Sequence, residues 1–343
     1  MINYVTGNLL EAEAEALVNT VNTVGVMGKG IALQFRQAYP ENYEAYRKAC
    51  KHKEVQPGHM FVYRTGKLTN PRFIINFPTK RHWKGKARLE DIEVGLHDLI
   101  EVIKQERISS IAVPPLGCGN GGLNWDVVRE RIVTAFEVIP DVSVLLYAPE
   151  GAPKAETMRV ATKRPKMTAG RAAILGLLRN YALPGYRLTM LEIQKLAYFL
   201  QVAGEPLKLN FVKGRYGPYT ETLHHVLQRI EGHFIRGYGD RSRDASVEVY
   251  SDAINEAKDF LQEHLETLKR LEQVSRLIEG FETPYGMELL ATVHWVAQEE
   301  PTVKENVSVA VSKVQEWSDH KLKTFRPEHI KVAWSRLSEE HWI

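Results

Sequence analysis

Three glycine-rich segments and one lysine carry the residue types from which a reaction on a phosphorylated ligand can be built. The first segment is Thr6-Gly7-Asn8-Leu9-Leu10. The second runs from Val18-Asn19-Thr20-Val21-Asn22-Thr23 into Gly25-Val26-Met27-Gly28-Lys29-Gly30-Ile31-Ala32. The third is Pro114-Pro115-Leu116-Gly117-Cys118-Gly119-Asn120-Gly121-Gly122-Leu123. A glycine, lacking Cβ, lets the backbone approach a ligand and turn its N–H groups onto it. Helices expected to begin after Gly28 and after Gly122 add partial positive charge at their N-termini, which suits a diphosphate. Neither loop is a P-loop, because no Gly-Lys-Ser/Thr stands at the required spacing, and neither fits the Gly-x-Gly-x-x-Gly of a dinucleotide fold. Two such loops on one sheet edge point to a phosphate-bearing ligand rather than to tight turns.

The lysine is Lys80, in Phe77-Pro78-Thr79-Lys80-Arg81-His82-Trp83. A lysine amine attacks carbon only when deprotonated, and its reference pKa is about 10.4. Burial and neighbouring positive charge both depress that value, and Arg81, Lys84 and Lys86 are the expected source of charge. The residues alone leave a nucleophilic lysine and a surface or phosphate-binding lysine equally open. His82 and Trp83 are candidates to stack on a base of single-stranded nucleic acid, whereas Trp125 is expected to pack. Cys118 has no nearby histidine to activate it and reads as a small loop residue. The 12 histidines and two cysteines show no spacing of a metal site or disulfide framework.

The elements that must position these groups alternate along residues 1–149. Candidate strands are Ile2–Val5, Ala16–Asn19, Met60–Tyr63, Phe73–Asn76, Ser110–Val113 and Val142–Tyr147. Between them lie helical patterns such as Leu89, Ile92, Leu96, Leu99 and Ile103, spaced by three and four. Strand–helix alternation predicts a largely parallel sheet covered on both faces, with ligands at the carboxyl ends of its strands. Pro149-Glu150-Gly151-Ala152-Pro153 breaks this pattern, and residues 150–166, with Lys163, Arg164 and Lys166, read as a solvated basic linker. Residues 167–343 carry mostly 3.6-residue periodicity. Leu191 to Leu200 predicts a helix stopping at Gly204, with more near 218–231, 252–282, 286–298, 304–317 and 327–340. Phe211–Tyr219 reads as a strand-like turn between them. The expected fold is therefore an α/β/α domain followed by a mainly α-helical one.

In a chain of 343 residues, 44% hydrophobic and 25% charged, these two domains have the composition of a globular protein. No apolar run reaches the length of a transmembrane helix, and the first residues lack a secretory signal pattern, so a cytoplasmic protein is expected.

The residues Asn19-Thr20-Val21-Asn22, Gly28-Lys29-Gly30-Ile31-Ala32 and Pro115-Leu116-Gly117-Cys118-Gly119 resemble those of macrodomains, the three-layer α/β/α fold that binds ADP-ribose. The resemblance covers residues 1–149. It implies a diphosphate wrapped by Leu116, Gly117, Cys118, Gly119, Asn120, Gly121, Gly122 and Leu123. It implies a distal ribose embraced by Thr20, Asn22, Gly28, Lys29, Gly30 and Ile31, and an adenine near Asn8 and Leu9, where an amide replaces the family's usual aspartate. Thr79-Lys80 resembles the lysine-dependent branch, in which the lysine acts at the anomeric carbon of the distal ribose. Protein-directed members of that branch carry an acidic residue in the third loop. Here Gly119-Asn120-Gly121-Gly122 has none, which is closer to the DNA-directed members.

The segment Leu191–Gln201 followed by Gly214-Arg215-Tyr216-Gly217-Pro218-Tyr219 resembles the helical domain of several bacterial antitoxins. A lysine-dependent macrodomain joined to such a domain implies an antitoxin. Its first domain would remove ADP-ribose from thymine of single-stranded DNA, with no cofactor, and its second would bind a DarT-type DNA ADP-ribosyltransferase toxin. The competing readings are a hydrolase of ADP-ribosylated protein and a non-catalytic ADP-ribose reader. The net charge of +3 divides unevenly, into +1 for residues 1–150, +7 for 151–187 and −5 for 188–343. Within 244–305 the balance is −9. Asp252, Glu256, Asp259, Glu263 and Glu266 recur at helical spacing, and the expectation is that they share a face imitating DNA phosphates to the toxin.

Overall fold

The computed structural model describes residues 1–149, 158–181, 188–238 and 246–343. The chain divides into two compact units, Met1–Lys163 and Arg164–Ile343. The expected basic linker thus falls in part outside the described residues. What is described of it is engaged by protein rather than solvated throughout. In the first unit the Ala161 N–H donates to the Gln37 carbonyl at 2.9 Å. In the second, Arg164 pairs with Asp252 at 3.0 Å and Glu256 at 2.8 Å.

The first unit runs β1 (Ile2–Val5), a 3-10 turn (Leu9–Glu11), β2 (Ala16–Asn22), α1 (Gly30–Ala38), α2 (Pro40–Lys51), β3 (Phe61–Arg64), β4 (Phe73–Lys80), α3 (Leu89–Glu106), β5 (Ser110–Val113), α4 (Trp125–Phe136) and β6 (Ser143–Tyr147). Its sheet has the order β1-β6-β5-β2-β4-β3, with every pairing parallel except β3 against β4. Successive side chains on a strand point to opposite faces, and here both faces are buried. Val18, Ile75, Phe77, Ile111 and Val113 pack with Ile92 and Leu96 of α3 and Val128 and Ile132 of α4. Leu17, Ile74 and Ala112 pack on the other side with Phe35 and Ala38 of α1. This is the expected three-layer α/β/α arrangement.

Two strands extend beyond their expected ends. β4 passes through Pro78 to Lys80, although proline removes a ladder donor. It is tolerated because β3 pairs with β4 only as far as Asn76, leaving the proline on an open side. β2 continues to Asn22 through a bulge between Val21 and Asn22, which sets Asn22 opposite Lys80.

The second unit contains α5 (Ala169–Tyr181), β7 (Leu188–Thr189), α6 (Met190–Val202), β8 (Val212–Gly214), β9 (Gly217–Tyr219), α7 (Thr222–Ile230), β10 (Ile235–Arg236), β11 (Ser246–Val249), α8 (Ser251–Gln262), α9 (Leu265–Ile278), α10 (Pro284–Glu299), α11 (Thr302–Glu305), α12 (Val307–Glu316), α13 (Asp319–Thr324) and α14 (Pro327–Glu339). α6 and α10 are buried on nearly all sides and form its centre. α6 starts at a capping box in which Thr189 and Glu192 satisfy each other's backbone donors. On its buried side, Lys195 donates from Nζ to the Pro218 carbonyl at 2.6 Å, fastening the β8–β9 hairpin to the helix. Burial, with Lys321 nearby, brings its pKa down to about 7.

The sequence pattern misreads this unit in several places, missing α5 and α13 and joining α11 to α12. The helix expected from 218 starts at Thr222, because Gly217–Tyr219 pair as a strand. Periodicity did not show the small antiparallel sheet β10-β11-β7. The long helix expected over 252–282 is two, because α8 and α9 both pack on α5. A Cβ at Gly176 of α5 would lie 2.5 Å from Leu271 of α9 and 3.4 Å from Leu261 of α8. The chain must turn at Glu263–His264 to bring both apolar faces there.

A glycine also sets the spacing beneath the end of β4. A Cβ on Gly95 of α3 would lie 2.4 Å from the ring of Phe77, which is fully buried. Gly95→Ala is expected to lower stability by about 1–3 kcal/mol through overpacking. That loss outweighs the roughly 1 kcal/mol by which alanine exceeds glycine in helix propensity. Urea denaturation reads the sign; a more stable variant would show that the ring can give way.

Candidate functional site

The strands β5, β2 and β4 are neighbours, so the chain leaving their carboxyl ends converges. The third loop leaves β5, the second leaves β2, and Lys80 is the last residue of β4. Lys80 Nζ donates to the Asn120 carbonyl of the third loop. The second loop meets the same point. Gly30 has φ +55°, and a Cβ there would lie 3.2 Å from the Asn120 side-chain amide. Glycine at 30 therefore serves both a left-handed backbone and a close approach between loops.

The Lys80 pKa is held below the ordinary lysine value, first by burial and second by the charge of Lys29. This corrects the source of charge expected from the sequence. Arg81 faces Asp91 of α3, with Nε and Nη2 donating to its carboxylate at 3.2 and 2.9 Å. Lys84 lies over the Trp83 ring, 4.9 Å from its centroid. Lys29 caps α1, which starts at Gly30 rather than directly after Gly28. Periodicity could not choose among these cations, because their neighbours in space come from other strands.

Asn22, for which the resemblance implies a ribose contact, is bonded within its own loop. Its Nδ2 donates to the Val26 carbonyl at 2.5 Å, and its Oδ1 accepts from the Val24 N–H at 3.0 Å. Tyr46 of α2 donates its hydroxyl to the Asn22 carbonyl at 2.5 Å. The side chain thus shapes the second loop beside Lys80. Beneath it lies a buried amide network that the sequence did not single out. Asn19 Nδ2 donates to Asn76 Oδ1 at 2.9 Å, and Asn76 Nδ2 to Asn42 Oδ1 at 2.8 Å. The available signal was a polar residue inside the apolar run Phe73-Ile74-Ile75-Asn76-Phe77.

The third loop coils on itself. The Leu123 N–H donates to the Gly117 carbonyl at 3.1 Å, and that of Gly122 to Gly119 at 3.1 Å. A Cβ at Gly121 would lie 2.1 Å from the Gly117 oxygen, so no other residue fits. Among the described residues the N–H groups of Gly119, Asn120 and Gly121 have no partner. Leu116 is buried and Leu123 half-buried in the core, which anchors both ends of the loop. α4 begins at Trp125, with Asn124 as its cap, so its N-terminus lies further along than expected. Trp125 packs on that core. Burial pushes the Cys118 thiol up to about 11, consistent with an unreactive loop residue.

The remaining candidates divide. Thr20 stays on β2, and Ile31 packs against the core through α1. Leu9 is buried in the 3-10 turn, which Asn8 caps by accepting from the Leu10 N–H at 3.1 Å. Asn8 Nδ2 donates to Glu11 at 3.0 Å, so a carboxylate does stand at this end of the sheet. His82 and Trp83 stack on each other with centroids 5.6 Å apart, and Trp83 is 43% exposed. In the second unit four of the five acidic residues follow one face of α8, and the fifth lies beyond the turn. Asp252, Glu256 and Asp259 lie on α8, Glu263 caps it, and Glu266 lies on α9. Two of them share a pairing with Arg164, and Glu266 pairs with Lys269 at 2.9 Å. No metal-binding cluster and no helix long and apolar enough to cross a membrane occur among the described residues.

Comparison with known proteins gives this geometry its relatives. Residues 18–132 match the Macro domain family. A Thermus aquaticus protein named DNA ADP-ribosyl glycohydrolase is 48% identical over 337 residues, covering 98% of this chain and 93% of its own length. The solved macrodomain of Mycobacterium tuberculosis DarG is 59% identical, covering 44% of this chain and 99% of that one, with a TM-score of 0.43. A Thermosipho africanus DNA ADP-ribosyl transferase–DNA ADP-ribosyl glycohydrolase fusion protein is 36% identical over 166 residues, covering 43% of this chain and 42% of its own length.

If Lys29 is the cation acting on Lys80, Lys29→Gln must raise the Lys80 pKa. The pH dependence of Lys80 acylation, followed by peptide mass spectrometry, is expected to move to higher pH in that variant. An unmoved midpoint would leave burial as the sole cause.

Proposed function

The chain belongs to the DNA ADP-ribosyl glycohydrolase (DarG) family, and from that premise we propose that its first unit removes ADP-ribose from thymine of single-stranded DNA with Lys80 as the catalytic residue. The observation that carries this reading is the position of Lys80. It ends β4 between the second and third loops, opposite Asn22, with a pKa lowered by burial and Lys29. The unpartnered amides of Gly119, Asn120 and Gly121 suit a diphosphate, with Gly117, Cys118 and Gly122 shaping their loop. Gly28, Lys29 and Gly30 then lie on the ribose side. In the reaction, the deprotonated Lys80 amine attacks the anomeric carbon as its bond to the thymine nitrogen breaks. The bonding electrons leave with the base, which takes up the proton the amine gives off. Water then releases ADP-ribose and restores the lysine. ADP-ribose is product and ligand, and the chemistry needs no added cofactor.

The second unit, in this proposal, binds the DNA ADP-ribosyltransferase toxin of DarT type, in the cytoplasm. Support comes from the Thermosipho africanus fusion, which joins a transferase and a glycohydrolase in one chain. The acidic residues left for such contact are Asp259 and Glu263, since Arg164 engages Asp252 and Glu256.

Incubation of an ADP-ribosylated DNA oligonucleotide and an ADP-ribosylated protein with wild type and Lys80→Ala tests the first part. Wild type is expected to release ADP-ribose from the DNA and not from the protein, and the variant to be slower by about a hundredfold or more. Equal turnover by both would remove the lysine from the mechanism, and release from the protein alone would favour a protein hydrolase. For the second part, Asp259→Lys with Glu263→Lys should weaken toxin binding in calorimetry while de-ADP-ribosylation stays at its wild-type rate. Undiminished binding would rule out this acidic face.

A further inference from the structure

The order of the sheet gives the substrate a direction. The third loop, the second loop and Lys80 follow one another because β5, β2 and β4 are consecutive. A ligand with its diphosphate on the third loop and its ribose at Lys80 therefore has its leaving group beyond β4, toward β3. A cavity of about 380 Å3 lies there, within the range of roughly 300–1,000 Å3 usual for ligand sites. Thr23, Gln56, Arg81 and Asp91 give it polar walls. Pro57, Gly58 and Val94 make its apolar side. Thr23 and Arg81 are the chain neighbours of Asn22 and Lys80, and Thr23 Oγ1 donates to the Arg81 carbonyl at 2.6 Å. The cavity thus adjoins the chain directly after Asn22 and Lys80.

Its chemistry suits a nucleotide. Arg81 uses Nε and Nη2 on Asp91, and its side chain is 58% exposed, so a guanidinium with further donors is held in one place at the cavity wall. Asp91 is neutralised by that pairing, which removes a carboxylate that would repel phosphate. Directly after Arg81 in the chain come the stacked rings of His82 and Trp83, with Lys84 over Trp83, aromatic and cationic groups of the kind that take single strands. Gly58 keeps the floor close to α3, since a Cβ there would lie 2.6 Å from Val94.

We propose that this cavity receives the leaving nucleotide, with its base against Pro57, Gly58 and Val94 and a DNA phosphate on Arg81. Asp91 is then the residue that positions the guanidinium. The proposal rests on the hydrolase reading above and adds where the DNA goes.

The test uses the full chain with an ADP-ribosylated single-stranded oligonucleotide as substrate and free ADP-ribose, which lacks the leaving group, as a control ligand. Gln56→Trp narrows the cavity and Arg81→Gln removes its charge. Each is expected to raise KM for the oligonucleotide about tenfold, equivalent to roughly 1.4 kcal/mol, with kcat within about twofold of wild type. Calorimetric affinity for ADP-ribose should be unchanged. For Arg81→Gln the slope of log KM against log salt should fall by about one, the signature of one lost phosphate contact. Wild-type turnover with variants of unchanged KM would overturn the subsite alone, as would an equal loss of ADP-ribose affinity, which marks a structural effect. No wild-type release from DNA would overturn the hydrolase reading and the subsite together.

Discussion

Burial of both faces of a parallel sheet is the constraint on which the first unit depends. Along β2, β4 and β5 the interior positions are filled by Val, Ile, Leu, Phe and Ala, with uncharged Asn19 and Asn76 among them. Charged groups can therefore act only where the strands end. β4 meets this condition by running past its antiparallel neighbour, so that Pro78 lies clear of β3 and Lys80 emerges at the edge. The bulge in β2 completes the arrangement by carrying Asn22 to the same level. A lysine two residues earlier would sit under the loops, and its charge would have no access to water or ligand.

Close approach is the second requirement, and glycine answers it in different ways. At Gly30 and Gly121 the missing Cβ lets the second loop reach Asn120 and the third loop fold on its own carbonyl. At Gly95 it admits the Phe77 ring, which supports β4 from below. Side-chain amides then hold what the glycines permit. Asn22 orders the second loop, and Asn19, Asn42 and Asn76 tie β2, α2 and β4 together in the core. The network fixes one geometry even though the buried Asn19 Oδ1 has no partner among the described residues. The lowered Lys80 pKa follows from that geometry, because Lys29 and the surrounding atoms stay in place.

The second unit is organised by different means, around α6 and α10. The Lys195 amino group, drawn into this core, bonds the Pro218 carbonyl, and Lys321 bonds Glu288 at 2.6 Å and Thr292 at 2.9 Å. These bonds hold short elements, the β8–β9 hairpin and α13, whose apolar area is small. Arg164 has the same role on the outside, bridging to α8. A charge count by segment therefore overstates the free acidity of residues 244–305, because part of it is met by a base 88 residues earlier in the chain.

The sequence by itself determined what repeats locally. Alternating apolar residues and spacings of three and four reveal the strands and helices of the α/β/α unit, and glycines clustered after strands mark the loops at the strands' carboxyl ends. The Thr79-Lys80 pair stands out through a family resemblance, whereas its residue types alone leave the part of the lysine open. Tertiary structure alone decided which groups meet across the fold. It replaced Arg81, Lys84 and Lys86 with Lys29 as the charge acting on Lys80, bonded the Asn22 side chain to the Val26 carbonyl, and split one expected acidic helix into α8 and α9. The reason is physical. Periodicity records which face of an element is apolar, whereas a pKa, a salt bridge or a turn between helices depends on distances of a few ångströms between residues far apart in the chain. Those distances are set by packing, and they exist only once the elements have found their partners.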